Sequence, residues 1–319
     1  MSSTSNKTDT SELTRRVYGS IYGLAIGDAL GAPIEFSPPG TFTPVTGFRS
    51  GGPFNLPAGT WTDDTSLALC LIESLVECNG CDINDQMHRF LRWYREGHLS
   101  ATGHCFDIGT TTRHALHHFL RTGDYQNREI DDRSAGNGSL MRIAPIPLYF
   151  HRDPKIAIDF AGESSKGTHN HPAAVDACRY FAGLIVGALH GVPKEELLLP
   201  LYAPIPDFWD DRSLVPEIAE VAMGSFLTKE PPEIVGSGYV VKSLEAALWA
   251  FAKGKDFRES VLLAVNLGDD TDTTGAICGQ LAGAYYGIDG IPEEWCRGLA
   301  KEEIISEKVG DLIRAIESA

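Results

Sequence analysis

The sequence Gly268-Asp269-Asp270-Thr271-Asp272-Thr273-Thr274-Gly275 lies near the C-terminus and places three carboxylates and three hydroxyls in six consecutive residues. Glycine then recurs at every fourth position, and two earlier segments repeat that spacing. The three rows are Gly19, Gly23, Gly27 and Gly31; Gly183, Gly187 and Gly191; and Gly275, Gly279, Gly283 and Gly287.

Glycine inside a helix costs about 1 kcal/mol relative to alanine, so these rows need a physical reason. Close approach of helix backbones supplies one, because ridges of residues four apart fit into a neighbour's groove. We predict that the three helices are central and pack tightly together. If the first and last are antiparallel, Glu35 and the acidic segment 268–275 meet at one rim.

Helical periodicity of apolar residues, without a convincing alternating strand, predicts an all-α fold of about a dozen helices or more. Residues 1–11 are expected to form a disordered tail, and residues 12–319 a single domain. The predicted helices are 12–30, 64–78, 83–96, 108–121, 153–164, 172–190, 194–201, 214–227, 240–253, 256–266, 272–286 and 301–317, with only short helical pieces in 134–150.

The formal net charge of the 319 residues is −16. This charge argues against nucleic acid or an anionic membrane as partner, because both require a basic surface. We expect no signal peptide and no membrane span, since the N-terminus is polar and no run of about 18 apolar residues occurs. Seven scattered cysteines indicate reduced thiols in a cytoplasmic protein and give no zinc signal.

A second acidic segment, Thr62-Asp63-Asp64-Thr65, also opens an apolar helix. Either segment alone could be a helix cap. However, crowding Asp269, Asp270 and Asp272 causes like-charge repulsion unless a cation is present. Carboxylates and hydroxyls suit Mg²⁺ or Mn²⁺, whereas zinc usually recruits His or Cys. We predict that the two segments meet and hold one or two hard divalent cations.

Other candidates are less specific when each is taken alone. Asp107 is either a helix cap or a functional carboxylate, and Glu35 is either exposed or deliberately placed among apolar residues. The glycine-rich turn at residues 136–139 can cradle a phosphate or be an ordinary turn. His169 and His171 are spaced for metal binding, but loop histidines are more often solvent-facing or hydrogen-bonded.

Taken together, seven segments resemble the ADP-ribosylglycohydrolase family, which includes dinitrogenase reductase-activating glycohydrolases and ADP-ribosylarginine hydrolases. They span most of the chain and follow the family's order. They are GLAIGDALGAPIEF (23–36), GTWTDDTSLAL (59–69), CFDIGTTTRHAL (105–116), GNGSLMRIAPI (136–146), THNHP (168–172), GSGYVVKSLEAALWAF (236–251) and GDDTDTTGAICGQLAGAYYG (268–287).

The resemblance implies a compact all-α orthogonal bundle with two Mg²⁺ or Mn²⁺ ions at one rim. Glu35 would lie beside the metals, and Asp107 in the substrate pocket would take the main acid–base or electrostatic role. The implied metal ligands are Thr62, Asp63, Asp64, Asp270, Asp272 and Thr273. The implied substrate contacts are Gly136, Asn137, Gly138 and Ser139 around the diphosphate, His169 at the ADP-ribose, and Tyr239 at the pocket wall.

Two positions depart from the commoner family pattern: Thr110 replaces a frequent Asn, and Asp269 replaces a frequent Gly. The function implied is metal-dependent hydrolysis of the N-glycosidic bond between ADP-ribose and a protein arginine. The expected partner is a mono-ADP-ribosylated protein or ADP-ribose, and we expect the hydrolase to be a monomer. The alternatives are hydrolysis of a serine linkage or of O-acetyl-ADP-ribose, and a non-catalytic ADP-ribose-binding protein.

Overall fold

The computed structural model of the protein describes residues 5–126 and 134–318. Within these residues the chain forms fourteen α-helices and no β-strand, which confirms the predicted all-α fold. They are α1 (Ser5–Gly31), α2 (Asp63–Cys78), α3 (Ile83–Glu96), α4 (Thr110–Thr122), α5 (Pro145–Tyr149), α6 (Pro154–Thr168), α7 (Pro172–Leu189), α8 (Lys194–Leu197), α9 (Pro216–Ala222), α10 (Val240–Lys253), α11 (Phe257–Val265), α12 (Thr271–Tyr286), α13 (Glu293–Gly298) and α14 (Glu302–Ser318).

The helix boundaries follow local signals in most cases. Asp82 caps α3 and Asp256 caps α11, each by accepting a hydrogen bond from a backbone N–H three residues later. The helix predicted over 214–227 is shorter, because the α9 helix ends at Ala222 and Gly224 adopts a left-handed conformation. The short helix α13 was missed.

The first helix begins earlier than predicted. It starts at Ser5, so residues 5–11 of the predicted tail belong to α1, and residues 1–4 lie outside the described residues. The single-domain assignment stays a prediction.

Helices α1 and α12 are antiparallel and touch backbone to backbone. A β-carbon on Gly19, Gly23 or Gly27 would overlap the carbonyl oxygen of Gly283, Gly279 or Gly275, in that order. The same pairing places Gly31, the last residue of α1, against the backbone of Asp272. The predicted close approach of the first and last glycine-rich helices is therefore confirmed.

Helix α7 is central, as predicted, but the close backbone approach predicted from its glycine row is not observed. Helix α7 does contact α12, but Gly187 faces the side chains of Tyr202 and Leu197. A β-carbon on Gly183 would lie 3.4 Å from Pro204, at ordinary contact distance. The row in α7 thus gives room to side chains rather than to another helix backbone.

Helix α7 is also the one described helix with the length and hydropathy of a membrane span. Within the fold, 83% of that stretch is buried. Burial of this kind is typical of a core helix, which is the position that α7 occupies here.

Candidate active site

The acidic segment at the start of α12 is joined to the chain that follows α1. The N–H of Phe36 donates to the carbonyl of Asp269 (2.7 Å), and the N–H of Asp269 donates to the carbonyl of Ser37 (2.8 Å). These two bonds fix Glu35 beside the acidic segment, as the antiparallel arrangement predicts. Both ends of the chain therefore contribute to one site.

Asp28, in the last turns of α1, holds the second acidic segment in place. Its fully buried carboxylate accepts hydrogen bonds from the N–H of Thr62 (2.9 Å), the N–H of Thr65 (3.1 Å) and the Thr65 hydroxyl (2.6 Å). Asp28 thereby caps the N-terminus of α2 from another helix, so the side chains of Asp63 and Asp64 are not needed as caps. Sequence analysis missed this residue, although a charged side chain between Gly27 and Ala29 was a usable signal.

Replacing Asp28 with Asn is expected to weaken metal binding about 10- to 100-fold, because supporting residues of this kind orient the ligands. An Asn amide would turn an N–H toward N–H groups that need an acceptor. Isothermal titration with Mn²⁺ measures the effect. The control is Asp256→Asn, which changes a cap at α11; unchanged metal affinity in Asp28→Asn would contradict the role of Asp28.

Most of the predicted site residues line one cleft of about 420 Å³. Carboxylate oxygens of Glu35, Asp107 and Asp272 lie within 4.8 Å of one another. Thr62 and Asp64 are fully buried behind this cluster. The other predicted residues that line the cleft are Asp63, Gly136, Asn137, Gly138, His169, Asp270 and Thr273.

The cluster has the chemistry of a site for a hard cation. One carboxylate oxygen on each of four side chains is buried without a hydrogen-bond partner; these belong to Glu35, Asp64, Asp107 and Asp272. Burial, reinforced by neighbouring carboxylates, raises the pKa of Glu35 to about 10. Burial likewise raises the pKa of Asp107 to about 7. Unpaired buried carboxylates of this density fit a divalent cation with oxygen ligands.

Three residues at the site have positive φ angles that non-glycine residues seldom adopt: Phe36 (63°), Asp107 (60°) and Asp269 (57°). Such strain persists where the surrounding structure imposes it, often at functional sites. At Asp269 the two backbone hydrogen bonds to residues 36 and 37 impose it. The unusual Asp269 therefore has a backbone role in joining the two ends of the chain.

The glycine-rich turn at 136–139 is fixed to the acidic segment from several sides. The Asn137 amide donates to Asp270 Oδ2 (2.8 Å) and to Ser243 Oγ (2.9 Å). Gln280, on α12, donates to the carbonyl of Met141 (2.8 Å) and accepts from the N–H of Ala144 (2.8 Å). The turn and the acidic cluster are thus parts of one rigid frame.

The His169 ring lies directly on the turn. A β-carbon on Gly138 would be only 2.8 Å from His169 Cε1, and one on Gly136 would be 3.3 Å from Nε2. Glycine is required at Gly138 for this contact. His169 therefore lies between the turn and the cleft that it lines, and its contact with ADP-ribose stays a prediction.

Two predicted substrate residues have other surroundings. Ser139 is fully buried, and its hydroxyl hydrogen-bonds to Ser165 Oγ (2.7 Å), away from the cleft. Tyr239 pairs through its backbone with Gly136, and its ring is 40% exposed. Substrate contacts by these two side chains stay predictions.

The sequence model of the ADP-ribosylglycohydrolase family matches residues 9–319. The chain is 41% identical to "ADP-ribosylarginine hydrolase Tri1" of Pseudomonas putida over 93% of this chain and 77% of that protein. It is 30% identical to "ADP-ribosyl-[dinitrogen reductase] glycohydrolase" of Rhodospirillum rubrum, with 88% of each chain covered. A solved structure titled "ADP-ribosylglycohydrolase-related protein complex" superposes with a TM-score of 0.83 at 44% identity, covering 96% of this chain and 99% of that one. The chain belongs to the ADP-ribosylglycohydrolase family.

Proposed function

We propose that the protein hydrolyses the N-glycosidic bond between ADP-ribose and an arginine side chain of a protein, with one or two Mg²⁺ or Mn²⁺ ions bound. The observation that carries this proposal is the cluster of Glu35, Asp107 and Asp272, whose carboxylate oxygens face one cleft without partners. Similarity to two bacterial proteins named ADP-ribosylarginine hydrolase supports the arginine linkage.

The residues that would hold the cations are Thr62, Asp63, Asp64, Asp270, Asp272 and Thr273. Divalent cations held there would supply Lewis-acid chemistry toward the vicinal hydroxyls of the ribose. The Asn137 bond to Asp270 fixes that carboxylate relative to the turn that would receive the diphosphate. The ribose would thereby be held between the acidic cluster and residues 136–138.

Cleavage at the anomeric carbon develops positive charge on the ribose, and nearby carboxylates stabilise that charge. Asp107 would act there, as proton donor to the leaving guanidine or as electrostatic partner. Glu35 lies close enough to Asp107 to position a water molecule for attack on the same carbon. The backbone hydrogen bond from Phe36 to Asp269 holds the segment that carries Glu35.

Replacing Asp107 with Asn is expected to lower kcat for arginine-linked ADP-ribose by about 10²- to 10⁴-fold, the usual contribution of an acid–base group. The assay measures free ADP-ribose released from arginine, serine and cysteine linkages with Mn²⁺ or Mg²⁺ present. Asp207→Asn is the matched control, because Asp207 has a similar φ angle (56°) on an exposed loop.

Near-wild-type turnover by Asp107→Asn with metal bound would remove Asp107 from the mechanism. Release from serine and not arginine would show that the linkage is different. If the wild-type protein releases ADP-ribose from none of the three linkages, with or without metal, the enzymatic proposal fails.

A further inference from the structure

Arg142, just after the glycine-rich turn, is a fully buried guanidinium. No carboxylate of residues 5–126 and 134–318 forms an ion pair with it, and its Nε has no hydrogen-bond partner there. Burying an unpaired charge costs several kcal/mol. Burial lowers the pKa of Arg142 to about 10, so the group remains protonated at neutral pH. A buried positive charge therefore lies next to the turn that lines the cleft.

Arg142 is held by three contacts. It donates to the carbonyl of Gly138 (2.5 Å) and to the hydroxyl of Thr168 (2.9 Å), and its guanidinium lies 4.6 Å from the centre of the Phe90 ring. Thr168 Oγ1 is in turn 2.9 Å from His169 Nδ1. One guanidinium thus links the turn to the histidine that covers it.

The bond to Gly138 sets the direction of a peptide group. The C=O and N–H of a trans peptide point in opposite directions. With the Gly138 carbonyl turned to Arg142, the N–H of Ser139 points away from Arg142. The Asn137 carbonyl accepts from the N–H groups of Leu140 (2.8 Å) and Met141 (3.1 Å), so the N–H of Gly138, on the same peptide, points away from those two groups.

Successive backbone N–H groups that point the same way form a concave site for an anion. In the described part of the chain neither the N–H of Gly138 nor that of Ser139 donates to an acceptor. Gly138 lines the cleft, together with Gly136 and Asn137, and Ser139 follows it directly in the same turn. The two N–H groups and the charge behind them together suit a diphosphate.

We propose that Arg142 is a positioning residue for the diphosphate of ADP-ribose: it orients the N–H of Ser139 toward the ligand and supplies the buried counter-charge behind the N–H groups of Gly138 and Ser139. This inference rests on the proposed function. It also accounts for the retention of a buried guanidinium without a carboxylate partner, because the anionic ligand completes the pair.

A competing role for Arg142 is to balance the acidic cluster, since Asp63 is the carboxylate with which it interacts electrostatically. The two roles predict the loss of different binding affinities when the charge of Arg142 is removed. Loss of a diphosphate partner weakens ADP-ribose binding at saturating metal. If Arg142 instead offsets the negative charge of the acidic cluster, its removal changes the affinity of the site for the metal ion.

The test compares wild type, Arg142→Gln and Arg142→Lys by isothermal titration with ADP-ribose at saturating Mg²⁺, and with Mn²⁺ alone. The Gln variant is expected to bind ADP-ribose about 30-fold more weakly, in the range for losing a charged hydrogen-bond group. The Lys variant, which keeps the charge but cannot bond Gly138 and Thr168 at once, should fall between Gln and wild type. The Mn²⁺ affinity should stay within about 2-fold of wild type.

Arg179→Gln is the matched control, because Arg179 is another largely buried guanidinium near an aromatic ring (5.4 Å to Trp209), outside the cleft. Circular dichroism establishes that each variant is folded. Unchanged ADP-ribose affinity in Arg142→Gln, or an equal loss of Mn²⁺ affinity, overturns the inference while the proposed function stands. If wild type itself does not bind ADP-ribose, both fail together.

Discussion

Metal-free protein is expected to lose thermal stability as the pH rises from 5.5 to 8, and Mg²⁺ or Mn²⁺ is expected to restore it. The reason is the group of carboxylates buried together at the cleft. Burial and mutual repulsion hold the pKa of Asp63, Asp64 and Asp272 well above the usual range. A bound cation removes that repulsion and binds the folded state alone.

The sign follows from Asp107. A carboxyl whose pKa is raised on folding favours the folded state below its unfolded pKa, which is about 3.9 for Asp. That advantage is lost as the pH rises through the folded pKa. For Asp107, with a folded pKa of about 7, the loss occurs between roughly pH 4 and pH 7. The stabilisation by metal should therefore grow over this interval.

The measurement is the melting temperature with EDTA and with excess Mn²⁺ at several pH values. At a metal concentration 100 times Kd the gain is about 2.7 kcal/mol, or roughly 5 °C. Asp272→Asn should remove most of the gain, whereas Asp289→Asn, whose side chain is 72% exposed, should keep it. A metal effect that is absent, or equal at pH 5.5 and 8, would contradict the assignment of the cluster.

Replacing Gly279 with Val is expected to destabilise the folded protein by about 3 kcal/mol or more, because overpacking here forces apart two backbones. A β-carbon at this position overlaps the carbonyl oxygen of Gly23, and a backbone oxygen inside α1 cannot rotate away as a side chain can. Separating α1 from α12 would also part Glu35 from Asp272. Urea unfolding followed by circular dichroism measures the loss.

Gly183→Ala in α7 is the control for this prediction. It is the same residue type in a buried helix, but a β-carbon would meet only side chains, at 3.4 Å or more. Alanine is expected to be tolerated or to add up to about 1 kcal/mol through helix propensity. Equal unfolding midpoints for Gly279→Val and wild type would show that the contact between α1 and α12 yields at little cost.

A contact between two elements could be predicted where both elements carry a recognisable sequence pattern. Glycines recur every fourth residue in α1 and again in α12, so each helix indicates the other. The two acidic segments also match in residue type, and the resemblance to the family placed Glu35, Asp107 and His169 at one cleft. All three do line that cleft.

The parts that could not be predicted depend on contacts that only the folded chain creates. The charge of Asp28 in a glycine-rich helix marks it as unusual, but its hydrogen-bond partners Thr62 and Thr65 lie 34 and 37 positions later in the chain, and no sequence spacing identifies them. The glycines of α7 have the same spacing as those of α1, yet Tyr202 and Leu197 fill the space beside Gly187. Spacing predicts that room is needed, but it does not identify the neighbour that occupies it.

The contact between α1 and α12 also governs when the site can form during synthesis. The Thr271 hydroxyl bonds to the carbonyl of Gly31, 240 residues earlier in the chain (2.8 Å). At usual translation rates, roughly ten to fifty seconds pass between the synthesis of α1 and that of α12. During that interval Glu35, Asp63 and Asp107 are made, and Asp270 and Asp272 follow only at its end. A nascent chain therefore gains the cleft in its final stage of synthesis, after α12 leaves the ribosome.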